Sequence, residues 1–324
     1  MEIVRPFTRL RSGDVAIAGG KGASLGELTQ AGIPVPPGFV LLSSAFDRFL
    51  SEVDLNEEID TIIIHGVNRE AMHTVEHASE KIQQLILEAK MPVDIKEVVE
   101  NEFKKLGAEY VAVRSSATAE DSSSAAWAGQ LDTFLNATED SLIQNVQKCW
   151  ASLFTPRAIF YRFEKGMHDK KISVAVVVQK MIQSEVSGIA FSVHPVTEDR
   201  NQMIIEAGFG LGEAIVSGQV TPDSFVVEKN PRRIIDTNIA TQSHALRRAN
   251  GASSTGSGQA NEWHELTEAE GGKPTLTEVQ VLELAEIIVR IENHYGFPCD
   301  IEWALEAGTF FITQSRPITT LSGS

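Results

Sequence analysis

Asp300-Ile301-Glu302-Trp303-Ala304-Leu305, a turn at Glu306-Ala307-Gly308, and Thr309 to Gln314 followed by Ser315-Arg316-Pro317 read as a β-hairpin. Alternation with period two sets Asp300 and Glu302 on one face of the first strand, and Gln314 and Arg316 on one face of the second. Two carboxylates, an amide and an arginine converging on a strand pair suit Mg²⁺ with a polyphosphate: carboxylates hold the hard cation and the arginine neutralises phosphate oxygens. The competing reading is a solvated face on an exposed hairpin.

Outward from the hairpin, short β-rich runs alternate with helical stretches, which predicts an α+β (α/β) architecture. Val111-Ala112-Val113, Ser173 to Gln179, Ile189-Ala190-Phe191 and Met203-Ile204-Ile205 read as buried strands. Leu142, Val146, Cys149, Trp150 and Leu153 recur at helical spacing and predict a helix over 140–154; Met72, Val75, Ile82, Leu85, Ile86 and Ala89 predict another over 69–89. Thr277 three residues before Gln280, with Leu276 placed to staple against Val281, predicts a helix start that runs to about 295. The stretch from Arg247 to Gly258 has no periodicity and few apolar groups, and is expected to be a mobile insert.

The chain has 324 residues, 42% hydrophobic and 22% charged, with 28 Lys+Arg against 44 Asp+Glu and a formal net charge of −16. That charge repels a phosphate backbone, so nucleic acid is not an expected partner. No apolar run suits a membrane helix and the start lacks a signal-peptide layout, so the expected setting is cytoplasmic, with no membrane partner. Cys149 and Cys299 are expected to be buried free thiols, and the histidines, His73 and His77 included, to lie on solvated surface.

Other segments carry phosphate chemistry. Gly19-Gly20-Lys21-Gly22 opens a helix through Leu28, where glycines admit an anion to backbone amides and Lys21 supplies a mobile cation. The spacing is not that of a Walker A loop; the alternative is a plain helix start with a surface lysine. Val111-Ala112-Val113-Arg114-Ser115-Ser116-Ala117-Thr118 runs a buried strand into an arginine whose fork of donors suits phosphate, or else pairs with a core carboxylate. Gly129-Gln130-Leu131-Asp132-Thr133-Phe134 follows the small residues 122–126 and suits a lid over a ligand. Gly208-Phe209-Gly210-Leu211-Gly212-Glu213 does not have the spacing of a dinucleotide-binding turn.

In this order the segments resemble the N-terminal nucleotide-binding (PEP/pyruvate-binding) domain of the phosphoenolpyruvate synthase family, which includes pyruvate phosphate dikinase, rifampicin phosphotransferase and glucan, water dikinase. The resemblance runs through Val113 to Asp121, Gly129 to Thr133, Ser187 to Phe191, Gly210 to Gly218, and the hairpin motifs, and so spans nearly the whole chain. It implies an ATP-grasp-like fold of two lobes, residues 1–183 and 184–324, enclosing ATP. Lys21, Arg114 and Arg316 would be catalytic phosphate contacts, and Gly129, Gln130 and Thr133 the lid. Gln179, Lys180, Met181 and Ile182 would be the hinge whose backbone reads adenine. Glu302, Asp300 and Gln314 would hold Mg²⁺, with Gln314 also meeting the terminal phosphates. An arginine on the helix after the lid is also implied, and Arg157 and Arg162 both fit.

The same resemblance implies a kinase or dikinase that splits ATP to AMP and phosphate and phosphorylates a histidine on a swivelling domain or subunit in trans, since no phosphohistidine motif occurs here. The acceptor would be pyruvate, an antibiotic such as rifampicin, or a phenol as in phenylphosphate synthase. The reading from another class is a nucleotide-sensing module without chemistry. Two departures stand out: Ser122-Ser123-Ser124 where synthases carry Leu-Pro-Asp, and Glu198 where many relatives carry glycine.

Overall fold

A computed structural model of the chain describes residues 2–68, 70–118, 132–167, 172–249, 261–319 and 321. The elements run β1 (Val4–Pro6), α1 (Val15–Gln30), β2 (Gly38–Leu41), α2 (Ser43–Glu52), α3 (Asn56–Gly66), α4 (Met72–Glu88), α5 (Val93–Leu106), β3 (Val111–Ala117), β4 (Thr133–Ala137), α6 (Glu139–Ala151), α7 (Pro156–Glu164) and β5 (Val174–Lys180). They continue with β6 (Val186–Phe191), β7 (Gln202–Phe209), α8 (Glu213–Val216), β8 (Asp223–Lys229), β9 (Arg232–Asn238), β10 (His244–Arg248), β11 (Asn261–Glu265), α9 (Glu268–Gly271), α10 (Glu278–Tyr295), β12 (Cys299–Glu306) and β13 (Thr309–Pro317). Helices with antiparallel sheets make this an α+β protein.

Two compact units emerge. Among the described residues, the first comprises those of 2–27 and 37–181, and the second those of 28–36 and 182–321. The second thus takes residues 28–36 from early in the chain.

The first unit carries a five-stranded sheet in the order β1-β2-β5-β3-β4. Phe39, Leu41, Val111, Val113, Val174, Val176 and Val178 share one sheet face and join the helical core, as period-two alternation requires. That core is anchored by Trp150, whose ring lies 4.8 Å from Phe49 and 5.6 Å from Phe46. The helix predicted over 140–154 is α6 plus a 3-10 turn at Ser152–Phe154, and the one predicted over 69–89 is α4. Thr155 caps α7 by accepting from the Ala158 amide, with Pro156 in the first turn, where its missing N–H costs nothing.

The second unit carries a six-stranded sheet in the order β13-β12-β6-β7-β8-β9. Against one face packs α10, through Val281, Leu284, Ala285, Ile288 and Ile291. Its start is the reciprocal cap of Thr277 and Gln280, and it stops at Gly296, whose φ of +75° costs a glycine little. Buried Leu276 and Val281 both belong to this core, as a staple demands. Asp223 is wholly buried and accepts from the amides of Ala240 (2.9 Å) and Thr275 (2.8 Å) and from the Thr275 hydroxyl (2.8 Å), tying β8 to the connections beyond β9 and before α10.

The stretch expected to be a loop from Arg247 is corrected at its start. Arg247 and Arg248 belong to β10 and pair with Glu262 and Asn261 of β11, so strand pairing overrides their low hydrophobicity. Residues 250–258 of that expectation lie outside the described residues.

Candidate functional site

Each unit presents one sheet face that is not committed to its helical core, and the sequence-predicted residues divide between those faces. In the first unit, Val40, Val177, Arg114 and Thr133 form a row across β2, β5, β3 and β4. Two residues along, Gly38, Gln179 and Ala112 form a second row, so Arg114, Thr133 and Gln179 share a face. Arg114 and Gln179 are buried and Thr133 is exposed.

The Gly19-Gly20-Lys21-Gly22 turn packs against this face. Gly19 breaks α1 with φ +67° and ψ 170°, and a Cβ there would collide with the Ser116 hydroxyl and carbonyl. Only glycine satisfies both demands. The Gly22 amide donates to Ser116 Oγ (3.3 Å), and Lys21 Nζ donates to the Ser115 carbonyl (2.9 Å). Lys21 therefore stands beside the middle of β3, the strand that carries Arg114, where the sequence reading expects an arginine at a strand end; two cations meet one strand.

Lys180 and Met181 follow Gln179 at the end of β5. Their amides donate to the Pro37 carbonyl (2.9 Å) and the Tyr110 carbonyl (3.0 Å). Ile182 is buried in the second unit. Gly129 and Gln130 lie outside the described residues, as do Ser122, Ser123 and Ser124. On α7, Arg162 is buried over the Phe154 ring at 5.9 Å, and burial pulls its guanidinium down against the raising effect of Asp60. Arg157 is exposed.

In the second unit, the hairpin turns at Ala307 (φ +49°) and Gly308 (φ +76°), the paired positive values that suit the twist of two antiparallel strands. Asp300 stands opposite Arg316, and Glu302 opposite Gln314. Directly opposed residues point to the same face, so the four side chains share one side of the sheet, and Ile301, Trp303 and Ile312 go to the core on the other. A bulge follows, with Trp303 opposite Ile312 and Thr313 left over. It falls beside Glu302 and Gln314, and an extra residue of this kind changes the aim of neighbouring side chains.

Arg316 Nε and Nη2 both reach Asp300 Oδ2, at 2.8 and 2.7 Å. The arginine is 50% exposed and the aspartate 15%, so the guanidinium remains open to an incoming anion while its carboxylate holds it in place. One further residue on this face was not picked out by the sequence reading. The Gln314–Glu302 row continues through Ile189 to Glu206 and Ser224. Burial raises the Glu206 carboxyl, so a cation nearby would be favourable to it. Its signal was available: in Met203-Ile204-Ile205-Glu206-Ala207, alternation buries Met203, Ile205 and Ala207 and turns Glu206 to the opposite side.

Among the described residues, no group of three or more His, Cys, Asp or Glu side chains is placed to hold a metal by itself. The Glu302 carboxylate and the Gln314 amide oxygen are nevertheless hard donors suited to Mg²⁺, which usually takes one or two protein ligands and completes its shell with phosphates and water. The Gly208–Gly212 turn is structural: a Cβ at Gly208 would strike Ile215, and the Gly210 carbonyl accepts from Ser184 Oγ (2.9 Å). Cys149 and Cys299 are buried free thiols. No described helix is long and apolar enough to cross a membrane.

Comparison with known proteins adds to this geometry. Residues 15–324 match the family model described as pyruvate phosphate dikinase, AMP/ATP-binding domain. The chain is 42% identical, over 99% of its length, to a probable phosphoenolpyruvate synthase of Methanocaldococcus jannaschii, and 40% identical, over 98%, to the phosphoenolpyruvate synthase of Pyrococcus furiosus. It is 41% identical, over 95% of its length, to the rifampicin phosphotransferase of Bacillus subtilis. The chain spans 27%, 44% and 35% of these relatives in turn, so each of them is a much longer protein.

Proposed function

The chain belongs to the pyruvate phosphate dikinase AMP/ATP-binding domain family, and on that premise we propose that it is the ATP-binding, phosphoryl-donating component of a phosphoenolpyruvate synthase-like dikinase. The fold we propose is ATP-grasp-like, of two lobes, residues 1–183 and 184–324. What carries the reading is the pairing of functions on named faces: Lys21, Arg114 and Thr133 on one sheet, and Asp300, Glu302, Gln314 and Arg316 on the other.

In this reading Lys21 and Arg114 bind phosphate oxygens, and their charge offsets the negative charge that builds up as the polyphosphate is cleaved. Arg316 exchanges part of its contact with Asp300 for terminal phosphate oxygens, and Thr133 offers a hydroxyl from the exposed end of β4. Gln179 to Ile182 border the adenine, and Gly129 and Gln130 close over the phosphates. Glu302, with Gln314 and Asp300, would hold Mg²⁺, which when bound neutralises phosphate charge and orients the oxygens for in-line attack. The attacking group is a histidine on a swivelling domain or subunit: its ring nitrogen bonds to the β-phosphorus as the α–β bridging bond breaks and AMP leaves, a water then takes the γ-phosphoryl away as phosphate, and the β-phosphoryl stays on the histidine.

The similar likeness to a synthase and to a rifampicin phosphotransferase, 42% and 41%, supports a donor half-reaction common to different acceptors. Pyruvate is the acceptor in the first reading and a rifampicin-like antibiotic in the second. The test is product analysis. The purified chain with Mg-ATP should hydrolyse ATP slowly at most; a swivelling-domain protein added in trans should yield AMP and an acid-labile, base-stable phosphohistidine. AMP formation by the chain alone at about 1 to 10³ s⁻¹, the range of competent enzymes, would overturn the need for that partner.

A further inference from the structure

Ser115 is an anomaly in its surroundings. It lies on the core-facing side of β3, between Val113 and Ala117 and opposite Val176, all three apolar, and it is 1% exposed. A hydroxyl there must have bonding to justify its burial, and each polar atom of this residue is engaged. Its carbonyl accepts from Lys21 Nζ (2.9 Å), and its amide donates to the Asp132 carbonyl (3.1 Å). Its hydroxyl lies 3.1 Å from that same carbonyl, 3.2 Å from the Cys149 carbonyl and 3.0 Å from Ser152 Oγ.

Proton counting limits these contacts. Ser152 Oγ donates to the Cys149 carbonyl at 2.8 Å, and the single Ser115 hydroxyl proton goes to the Asp132 carbonyl, to the second lone pair of the Cys149 carbonyl or to Ser152 Oγ. In the first arrangement Ser115 grips the Asp132 carbonyl twice, through amide and hydroxyl. Asp132 precedes Thr133, which stands directly opposite Arg114. One residue thus joins the lysine of α1, the start of β4 and the end of α6, around the strand position next to Arg114.

We propose that Ser115 is a positioning residue: without touching nucleotide, its hydroxyl and amide fix Asp132, and so Thr133, relative to Arg114, while its carbonyl receives Lys21 as that of any residue there would. This rests on reading those three as phosphate-side groups. The Ser115 side chain faces away from Arg114, because adjacent strand residues alternate, so its effect reaches a ligand only through the groups it holds.

Ser115→Ala is a mild test of the fold. Ser152 keeps its bond to the Cys149 carbonyl, and the Asp132 carbonyl keeps the Ser115 amide, so no buried donor is stranded. Calorimetry with Mg-ATP and with AMP, alongside thermal melting, should show ATP binding weakened about 5- to 20-fold, AMP binding within about twofold of wild type, and a melting temperature lowered by a few degrees at most. Ser115→Cys, which keeps the shape but donates weakly, should repeat the selective loss. Equal weakening of ATP and AMP with a large fall in melting temperature would show a structural role only and overturn the assignment. So would wild-type ATP affinity in both variants. If the wild-type chain binds no Mg-ATP, the phosphate-site reading falls and this assignment with it, a result distinguishable from the other two.

Discussion

Arg316 is held by Asp300 through two nitrogens on one oxygen, so a phosphate that takes this arginine meets a side chain already oriented and still half exposed. Charge-assisted hydrogen bonds contribute about 1.5–3 kcal/mol. Arg316→Ala should therefore weaken ATP roughly 10- to 100-fold and leave AMP, which lacks terminal phosphates, nearly unaffected; equal weakening by calorimetry would refute the contact. Asp223 works on stability instead. Its two oxygens accept three hydrogen bonds in a fully buried setting, and Asp223→Ala would strand the amides of Ala240 and Thr275, at a cost of about 3 kcal/mol or more in urea unfolding. Glu198 adopts φ +56°, a left-handed conformation that costs a non-glycine residue roughly 1 kcal/mol and that a glycine would adopt without that cost. Burial pushes the thiols of Cys149 and Cys299 up to about 12 from an ordinary value of 9.0. As pH rises the unfolded chain loses these protons first, so their contribution is intact below about pH 9 and drains away between there and about pH 12. A Cys149→Ala variant should accordingly show a shallower alkaline fall in urea midpoint than wild type; identical slopes would count against the assignment.

At the scale of elements, the Gly19 break in α1 and the bulge in β13 are the local departures that shape the two faces. Gly19→Ala would require both a positive φ and a side chain where Ser116 stands, so nucleotide affinity should fall at least tenfold. Gly107→Ala is the control: φ is +61° but the space is open, so about 1 kcal/mol of stability should go and affinity should stay. Equal affinity losses in the two variants would argue that backbone strain alone, not the fit against β3, sets the site. The hairpin was legible in sequence because Ala307-Gly308 and period-two alternation are local signals. The bulge at Thr313 was not, since an extra residue leaves composition and pattern almost unchanged. The expected facing of Gln314 and Arg316 holds because both follow Thr313 and neither is shifted relative to the other. Arg247 and Arg248 were read as loop because what makes them strand is the cross-strand pairing with β11, which no local hydrophobic pattern records.

For the molecule as a whole, the family and the α+β class were legible because phosphate chemistry leaves short, ordered signatures. The membership of residues 28–36 in the second unit was not. It depends on contacts remote in sequence, such as the Ile312 amide donating to the Pro34 carbonyl (2.8 Å) and Arg290 Nη2 donating to the Gly32 carbonyl (3.2 Å). Glu206 likewise joined the candidate site only once β7 was seen beside β6, two strands from Glu302. The central claim is that these residues make a Mg-ATP site. Its most direct test is isothermal calorimetry of the chain with a non-hydrolysable ATP analogue, with and without Mg²⁺. The account predicts saturable binding near one nucleotide per chain, strengthened by Mg²⁺ in the wild type and far less so in Glu302→Ala. Absence of heat at millimolar analogue with Mg²⁺ present would contradict it.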